Sequence, residues 1–233
     1  MTIPTRAGVI AIAAVGLAIG LSGCGSDTKT EESTSTSASA AESATTSSEA
    51  PTTSAAASGP KKSIADYIKA NNITETPVKR GYPGAPTINL PSPKGWEDMG
   101  ANTPAGAYFG IVFTADPAAA QSPPTIIAMV SKLTGNVDPA KILEYAPGEV
   151  QSLKGYEGPD TGQPSKLGGF DATQVGGTYI KGGVSHLVAQ KTVVIPGQDG
   201  LYVLQLNAYS DESEIGVLAD ATTVVDEQTT ITP

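Results

Sequence analysis

The hydrophobic positions of this chain fall into three stretches with different patterns. Residues 7–21 are apolar without a charge and follow Arg6, which is the arrangement of a secretory signal peptide. Residues 25–60 contain no aromatic residue and no Ile, Leu or Val. From residue 61 onward, apolar residues recur at the spacings of strands and helices. The pattern therefore predicts a signal peptide at 1–23, a tether at 24–60 and one globular domain at 61–233.

The first half of the domain is predicted to hold one helix and three strands. Ser63 with Asp66 three residues later is a helix-capping pattern, and residues 64–71 continue it with apolar positions on one face. Trp96 is expected in a turn. The run at 125–133 is apolar on both faces, so we expect it near the centre of a sheet. The three predicted strands are 87–90, 107–115 and 125–133.

The second half predicts a helix, three more strands and a last helix. Asp138 followed by Pro139 is typical of a helix start. Gly182 and Gly183 separate two β-prone runs, which indicates a hairpin. Asp211 is expected to cap the last helix. The strands are 170–180, 184–195 and 201–208. The order α-β-β-β-α-β-β-β-α predicts an α+β fold in which helices sandwich an antiparallel sheet.

The single cysteine of the chain adds an anchor to this picture. Leu21, Ser22, Gly23 and Cys24 directly follow the apolar run and resemble a bacterial lipobox. In that motif the chain is cleaved between Gly23 and Cys24, and the Cys24 thiol carries diacylglycerol. Two or three acyl chains hold a protein on a bilayer durably. We therefore expect a protein anchored by lipid to the extracytoplasmic face of the cell membrane, the alternative being a buried thiol in an uncleaved anchor.

The stretch after Cys24 is rich in Ser, Thr and Ala. Such a composition buries too little apolar surface to offset the entropy lost on ordering, so disorder is expected from 25 to 60. A passive spacer is the main interpretation. Ser/Thr-rich runs with Pro are also typical of O-glycosylated stalks, and that alternative stays open.

Charge and residue counts then narrow the function classes. The chain carries a formal net charge of −9, which argues against nucleic acid or an anionic membrane surface as a partner. His186 is the only histidine, and no G-x-S-x-G motif accompanies it. We expect no metal, no cofactor and no enzymatic activity. A glycosidase that uses two carboxylates is not excluded by the sequence.

Aromatic and amide side chains offer a candidate ligand pocket. Gln190, Thr192, Gln205 and Asn207 are polar positions within otherwise apolar strands. Amides beside aromatic rings suit a sugar head group, and an apolar gap between sheet and helix suits an acyl chain. The alternative, which the residues alone favour, is that the aromatics are core and the amides face solvent. The candidate pocket residues are Trp96, Tyr108, Tyr202, Gln190 and Gln205.

Several longer strings resemble the LpqN family of mycobacterial lipoproteins, over nearly the whole of residues 64–233. They are Ile64-Ala65-Asp66-Tyr67-Ile68, Thr76-Pro77-Val78, Pro86-Thr87-Ile88-Asn89-Leu90-Pro91, Ser131-Lys132-Leu133-Thr134-Gly135, Asp138-Pro139-Ala140-Lys141, Ala189-Gln190-Lys191-Thr192-Val193-Val194-Ile195-Pro196 and Asp226-Glu227-Gln228-Thr229-Thr230-Ile231-Thr232-Pro233.

This resemblance implies a fold like those of PsbP and Mog1p and a role in building the mycobacterial envelope. It also implies binding of trehalose-type glycolipids and docking to resistance-nodulation-division lipid transporters or to mycolyltransferases. No catalytic or binding residue is transferred from the family. A protein-interaction module of the envelope, without a small-molecule site, is the alternative function.

Overall fold

The structure, a computed structural model, describes residues 61–233. The predicted signal peptide at 1–23, the tether at 24–60 and the lipidation site at Cys24 lie outside the described residues. Within the described part, no helix is both long enough and apolar enough to cross a membrane.

Residues 61–233 contain four α-helices. They are α1 (Ile64–Ala70), α2 (Pro139–Tyr145), α3 (Pro147–Gln151) and α4 (Ile215–Gln228). The predicted capping of α1 is confirmed, because Ser63 Oγ accepts a hydrogen bond from the Asp66 N–H and the Asp66 carboxylate accepts one from the Ser63 N–H. Helix α2 begins as expected, with Asp138 as its N-cap and Pro139 in its first turn.

Residues 61–233 also contain ten strands and three short 3-10 helices, Gly100–Asn102, Pro117–Gln121 and Glu212–Glu214. The strands are β1 (Thr74–Pro77), β2 (Thr87–Asn89), β3 (Trp96–Asp98), β4 (Phe109–Phe113), β5 (Thr125–Thr134), β6 (Gln163–Leu167), β7 (Phe170–Lys181), β8 (Val184–Gly197), β9 (Gly200–Asp211) and β10 (Thr230–Thr232).

Eight of these strands form one antiparallel sheet in the order β3-β4-β5-β9-β8-β7-β6, and β1 also pairs with β5. Strands β1 and β4 share one edge of β5, β4 along its first half and β1 along its second. Strand β5 therefore lies inside the sheet, as predicted. Strands β2 and β10 form a separate two-stranded ribbon.

The long hairpins of the sheet follow from their turns. Gly182 and Gly183 connect β7 to β8 with φ angles of 61° and 86°. Positive φ at both positions is what a tight type I′ turn requires, and glycine adopts it without a steric cost. Gln198 and Asp199 form the turn between β8 and β9, since Gly197 pairs with Gly200. These two turns fix the register of β7, β8 and β9.

Helices cover both faces of the sheet. On one face, α2 packs Ile142 into a buried cluster that includes Leu133, Leu201 and Val203. On the other face, α4 buries Leu218 and Val225 over the core. The predicted α+β class, an antiparallel sheet sandwiched by helices, is therefore confirmed.

The structure also differs from the predicted order of elements. The prediction omitted β1, β3, β6 and β10, each of which has only three to five residues. Trp96 was expected in a turn, but it is the first residue of β3 and pairs with Phe113. Asp211 was expected to cap the last helix, but it ends β9, and α4 starts after a short 3-10 turn with Glu214 as its N-cap.

Candidate ligand site

The five predicted pocket residues do not lie together. Trp96, Tyr108 and Tyr202 belong to the buried core cluster and are 6%, 7% and 2% exposed. The Tyr202 hydroxyl donates a hydrogen bond to the carbonyl of Gly84 at 3.1 Å, so its polar end already has a partner. These aromatics are core residues, as the first half of the alternative interpretation expected. Its second half, that the amides face solvent, is wrong for Gln190 and Asn207, which are 1% exposed. The sheet separates Tyr202 from Gln205, because positions 202 and 205 on one strand point to opposite faces.

Gln190 and Gln205 do lie close together, on the face that α2 and α3 cover. The register of β8 and β9 places Thr192 opposite Gln205, Gln190 opposite Asn207 and Val188 opposite Tyr209. These three rungs follow one another along the same face of the sheet. Residues 205 and 209 are four steps apart on one strand, which corresponds to roughly 14 Å, so the rungs form a strip of about that length. We call its polar members the polar row: Gln190, Thr192, Gln205, Asn207 and Tyr209.

Three members of the polar row are buried, and four of the five have side-chain polar atoms without hydrogen-bond partners in the described residues. Gln190, Thr192 and Asn207 are 1%, 0% and 1% exposed. Among the residues that the structure describes, no partner is present for either amide atom of Gln190 or Asn207, for Thr192 Oγ1 or for the Tyr209 hydroxyl. A buried polar group without a partner costs about 1–3 kcal/mol. Such groups, concentrated on three neighbouring rungs, call for an explanation and make the polar row a candidate site for a bound ligand.

Glu149 on α3 adds a carboxylate to one end of the polar row. Gln205 Nε2 donates a hydrogen bond to Glu149 Oε2 at 3.2 Å. Burial raises the pKa of the Glu149 carboxyl, the bond from Gln205 lowers it, and the charge of Glu75 raises it again. The Gln190 amide also lowers this pKa from nearby, although it lies outside normal hydrogen-bond geometry. Glu149 is thus a poorly solvated acceptor beside the row.

Tyr209 forms the other end of the polar row. Its ring meets that of Tyr179 edge-on, with centroids 6.2 Å apart. Burial raises the pKa of the Tyr209 hydroxyl, and nearby Tyr179 and Glu149 add to the effect. The hydroxyl therefore stays protonated and can donate a hydrogen bond. Beyond it, His186 Nδ1 lies 2.8 Å from Asp211 Oδ1, which gives the lone histidine a structural partner at the end of the strands.

Apolar side chains flank the polar row on β5. Met129 lies opposite Gln205 and Ile127 opposite Asn207 in the register of β5 and β9. The apolar strip continues onto β4 at Gly110, where a Cβ atom would come within 2.9 Å of Met99 Sδ. The absence of a side chain at Gly110 lets Met99 lie close to the sheet. The face therefore combines a polar row with an apolar strip, which is the arrangement that an amphiphile would match.

A separate groove of about 390 Å³ lies where the described chain begins. It runs between residues 61–62, the α2–α3 junction and residues 160–162. Lys61 Nζ and Asp160 Oδ1 form an ion pair there, 3.1 Å apart. In residues 61–233, no group of three His, Cys, Asp or Glu side chains is arranged to hold a metal ion. The polar row is the stronger candidate site, because its unpaired groups are buried.

Sequence reasoning found part of this site. The sequence pattern marks Gln190, Thr192, Gln205 and Asn207 as polar strand positions, and of these the predicted pocket includes Gln190 and Gln205 but not Thr192 and Asn207. The spacing of two residues, which places 190 with 192 and 205 with 207 and 209, was the available signal. Nothing in the sequence pattern pointed to Glu149, since it reaches the row from a helix.

Comparisons with known proteins agree with the fold described above. The family model described as "Probable lipoprotein LpqN" matches residues 60–232. This chain belongs to the LpqN lipoprotein family. A curated relative, lipoprotein LpqN of Mycobacterium tuberculosis, is 50% identical over 241 aligned positions that cover 96% of this chain and 97% of the relative. The resemblance seen in the sequence is therefore confirmed.

A solved structure of the LpqN family matches as well. It is the crystal structure of LpqN, which its description calls involved in cell envelope biogenesis of Mycobacterium tuberculosis. The match has a TM-score of 0.71 and 53% identity, and it covers 75% of this chain and all of the other. The LpqN fold thus extends to this chain.

Proposed function

We propose that this protein is a non-enzymatic lipoprotein of the cell envelope that binds the sugar head group of a glycolipid along the polar row. One observation carries the proposal: the side chains of Gln190, Thr192 and Asn207 are almost fully buried and have no partner among the described residues. Amide groups that both donate and accept are suited to sugar hydroxyls, which also do both. The hydroxyls of a sugar would supply the missing hydrogen bonds.

The size and chemistry of the face suit a trehalose-type glycolipid. A strip of roughly 14 Å is long enough for a disaccharide rather than a single small ion. The Tyr209 hydroxyl donates and the Glu149 carboxylate accepts, so both ends of the head group would find a partner. Ile127 and Met129 would lie against the first part of the acyl chain. Apolar burial of this kind contributes about 0.8 kcal/mol for each CH₂.

The protein would act in the export or assembly of envelope lipids. Its lipid anchor on Cys24 would hold it at the extracytoplasmic face of the membrane, where it would receive a glycolipid from a resistance-nodulation-division transporter or deliver one to a mycolyltransferase. The description of the solved relative, as involved in cell envelope biogenesis, supports this role.

Calorimetry with a short-chain alkyl trehalose tests the ligand. The soluble chain from residue 25 to 233 should bind it saturably, and Gln190→Met should weaken binding at least about tenfold, because it keeps the volume and removes the amide. Tyr202→Phe is the matched control, since it removes a polar group on the opposite face. If the unaltered chain gives no heat up to the solubility limit of the ligand, the alternative of a protein-interaction module replaces this proposal.

Metabolic labelling tests the anchor separately. Cells fed a clickable fatty acid should label the unaltered protein and should not label the Cys24→Ser variant. Equal labelling of the two proteins would contradict lipid attachment at Cys24, and it would leave the ligand experiment unaffected.

A further inference from the structure

The charges around the polar row are mainly negative. Glu149 lies at one end of the row, and Glu75 on β1 is near enough for its charge to raise the pKa of the Glu149 carboxyl. Asp211 lies beyond Tyr209 at the other end and is paired with His186. Among residues 61–233, neither Glu149 nor Glu75 forms an ion pair with a lysine or an arginine. A ligand in the row would therefore meet carboxylates that are not neutralised by a lysine or an arginine.

The lysines of the strands are directed elsewhere or already paired. Lys132 and Lys191 lie on the opposite face, in ion pairs with Asp199 and Asp226 respectively. Lys166 shares the face of the polar row but lies on the edge strand β6, where it pairs with Asp171 at 2.6 Å.

Lys181 also shares the face of the row, but it is far from the centre. It lies opposite Val184 at the exposed tip of the β7–β8 hairpin. Six residues of β8 separate that rung from Gln190, which corresponds to roughly 20 Å. A head group bound at Gln190 and Gln205 would therefore not reach the Lys181 ammonium.

An anionic head group has no matching partner in this arrangement. Sulfate and phosphate groups are bound in proteins by Arg and Lys or by clustered backbone N–H groups. Here the nearest fixed charge is a poorly solvated carboxylate, and like charges in a site of low dielectric constant repel strongly. Sugar hydroxyls, in contrast, can donate to that carboxylate in a charge-assisted hydrogen bond. The same group thus favours one ligand class and opposes the other.

We propose that the polar row selects neutral, hydroxyl-rich head groups and excludes sulfated or phosphorylated ones, with Glu149 as the residue that sets this selectivity. The inference rests on the proposed function, since it concerns which glycolipid the same site takes. It places this protein on a route that carries uncharged glycolipids.

The test compares a matched pair of ligands. A short-chain alkyl trehalose and the same molecule with a sulfate on one primary hydroxyl are titrated into the soluble chain from residue 25 to 233. We expect the sulfated ligand to bind at least about tenfold more weakly. Glu149→Gln should reduce the ratio of the two dissociation constants, sulfated to neutral, because it removes the charge repulsion. Glu144→Gln, an exposed carboxylate on α2 with the same change in net charge, should leave it unchanged.

A second variant covers the possibility that Glu149→Gln loses the neutral ligand along with its acceptor. Glu75→Gln keeps the Glu149 carboxylate and removes the neighbouring charge, so it should narrow the ratio while retaining neutral binding. Equal affinity of the unaltered chain for both ligands would overturn the selectivity and leave the proposed function standing. An equal effect of Glu144→Gln and Glu149→Gln would overturn the role of Glu149. Failure of both ligands to bind would overturn the proposed function itself.

Discussion

The two faces of the central sheet differ in how most of their buried polar side chains are paired, with Ser210 on the α4 face as an exception because its hydroxyl has no partner in residues 61–233. Under α4, Lys191 is 5% exposed at its side chain and Asp226 on the helix lies 2.7 Å from its ammonium. Tyr202 on the same face has a backbone carbonyl as its partner. Across the sheet, Gln190 and Asn207 are equally buried and have no partner in the described residues. Alternate residues of the same strands thus contribute paired polar groups to one face and unpaired polar groups to the other.

The paired polar groups under α4 stabilise the fold, whereas the unpaired groups of the polar row are available to a ligand. A buried polar group with a partner is neutral or favourable, whereas one without a partner is destabilising. Proteins keep such groups at functional sites and stabilise the fold elsewhere. Substitutions on the two faces should therefore have opposite effects on the free energy of unfolding.

The largest effect is expected from breaking the ion pair under α4. Asp226→Ala leaves the buried Lys191 ammonium without its carboxylate, and it should lower the free energy of unfolding by about 2–3 kcal/mol. Urea denaturation followed by circular dichroism measures this change. Asp199→Ala, which removes the partner of the lysine on β5 at an exposed site, is the control and should change stability much less. If Asp226→Ala and Asp199→Ala lowered the free energy of unfolding equally, burial of the Lys191 ion pair would not matter for stability.

An effect of opposite sign is expected on the polar row. Asn207→Leu replaces two unpaired amide atoms with an apolar side chain of similar volume, so it should raise the free energy of unfolding by about 1–2 kcal/mol. The same variant should lose binding of an alkyl trehalose in calorimetry. A destabilised Asn207→Leu protein would show that the amide has an internal partner, and the comparison of faces would fail.

A smaller loss is expected from the tyrosine hydroxyl in the core. Tyr202→Phe removes the hydrogen bond to Gly84 and should lower the free energy of unfolding by about 1 kcal/mol. Thermal denaturation is sufficient to detect it. Binding of the alkyl trehalose should be unchanged, because the ring lies on the other side of the sheet. A clear loss of binding would place Tyr202 in the ligand site after all.

The smallest effect is expected to depend on pH. Because burial raises the pKa of the Glu149 carboxyl in the folded state above its ordinary value of 4.5, the folded state holds its proton more tightly than the unfolded state. The contribution of Glu149 to stability is then fully present below about pH 4.5 and declines as pH rises through the folded-state pKa. Glu149→Gln should match the unaltered chain at low pH and be more stable above that window.

Denaturation of the two proteins across pH isolates the contribution of Glu149 to the free energy of unfolding, since their other carboxylates are the same. If the stability difference between Glu149→Gln and the unaltered chain did not vary with pH, Glu149 would have an ordinary pKa. The carboxylate would then be well solvated, and its proposed role in ligand selection would weaken.

The sequence predicted the long elements of this fold well because their signals are local. Gly182 and Gly183 between two β-prone runs are enough for the β7–β8 hairpin, and Ser63 with Asp66 is enough for the start of α1. Strand β1 has no such signal, since its four residues are all exposed and it depends on pairing with β5. Short strands of this kind are decided by tertiary contacts.

The candidate site was harder to predict because it depends on which residues share a face. The odd and even positions of β9 already place Tyr202 and Gln205 on opposite faces. The sequence alone was therefore enough to show that these two residues do not share a pocket. Pairing Gln190 with Asn207, however, requires the register of β8 and β9, which the turn at Gln198 and Asp199 sets. Glu149 requires the packing of α3 on the sheet, and no periodicity in the sequence encodes that.

The glycine at position 148 has a mechanical consequence. A Cβ atom there would overlap the carbonyl oxygen of Lys62, so the bare backbone of α3 lets the start of the domain lie directly against the helix that carries Glu149. Tension applied to the start of the domain would therefore load the contact between Lys62 and Gly148, one residue before Glu149.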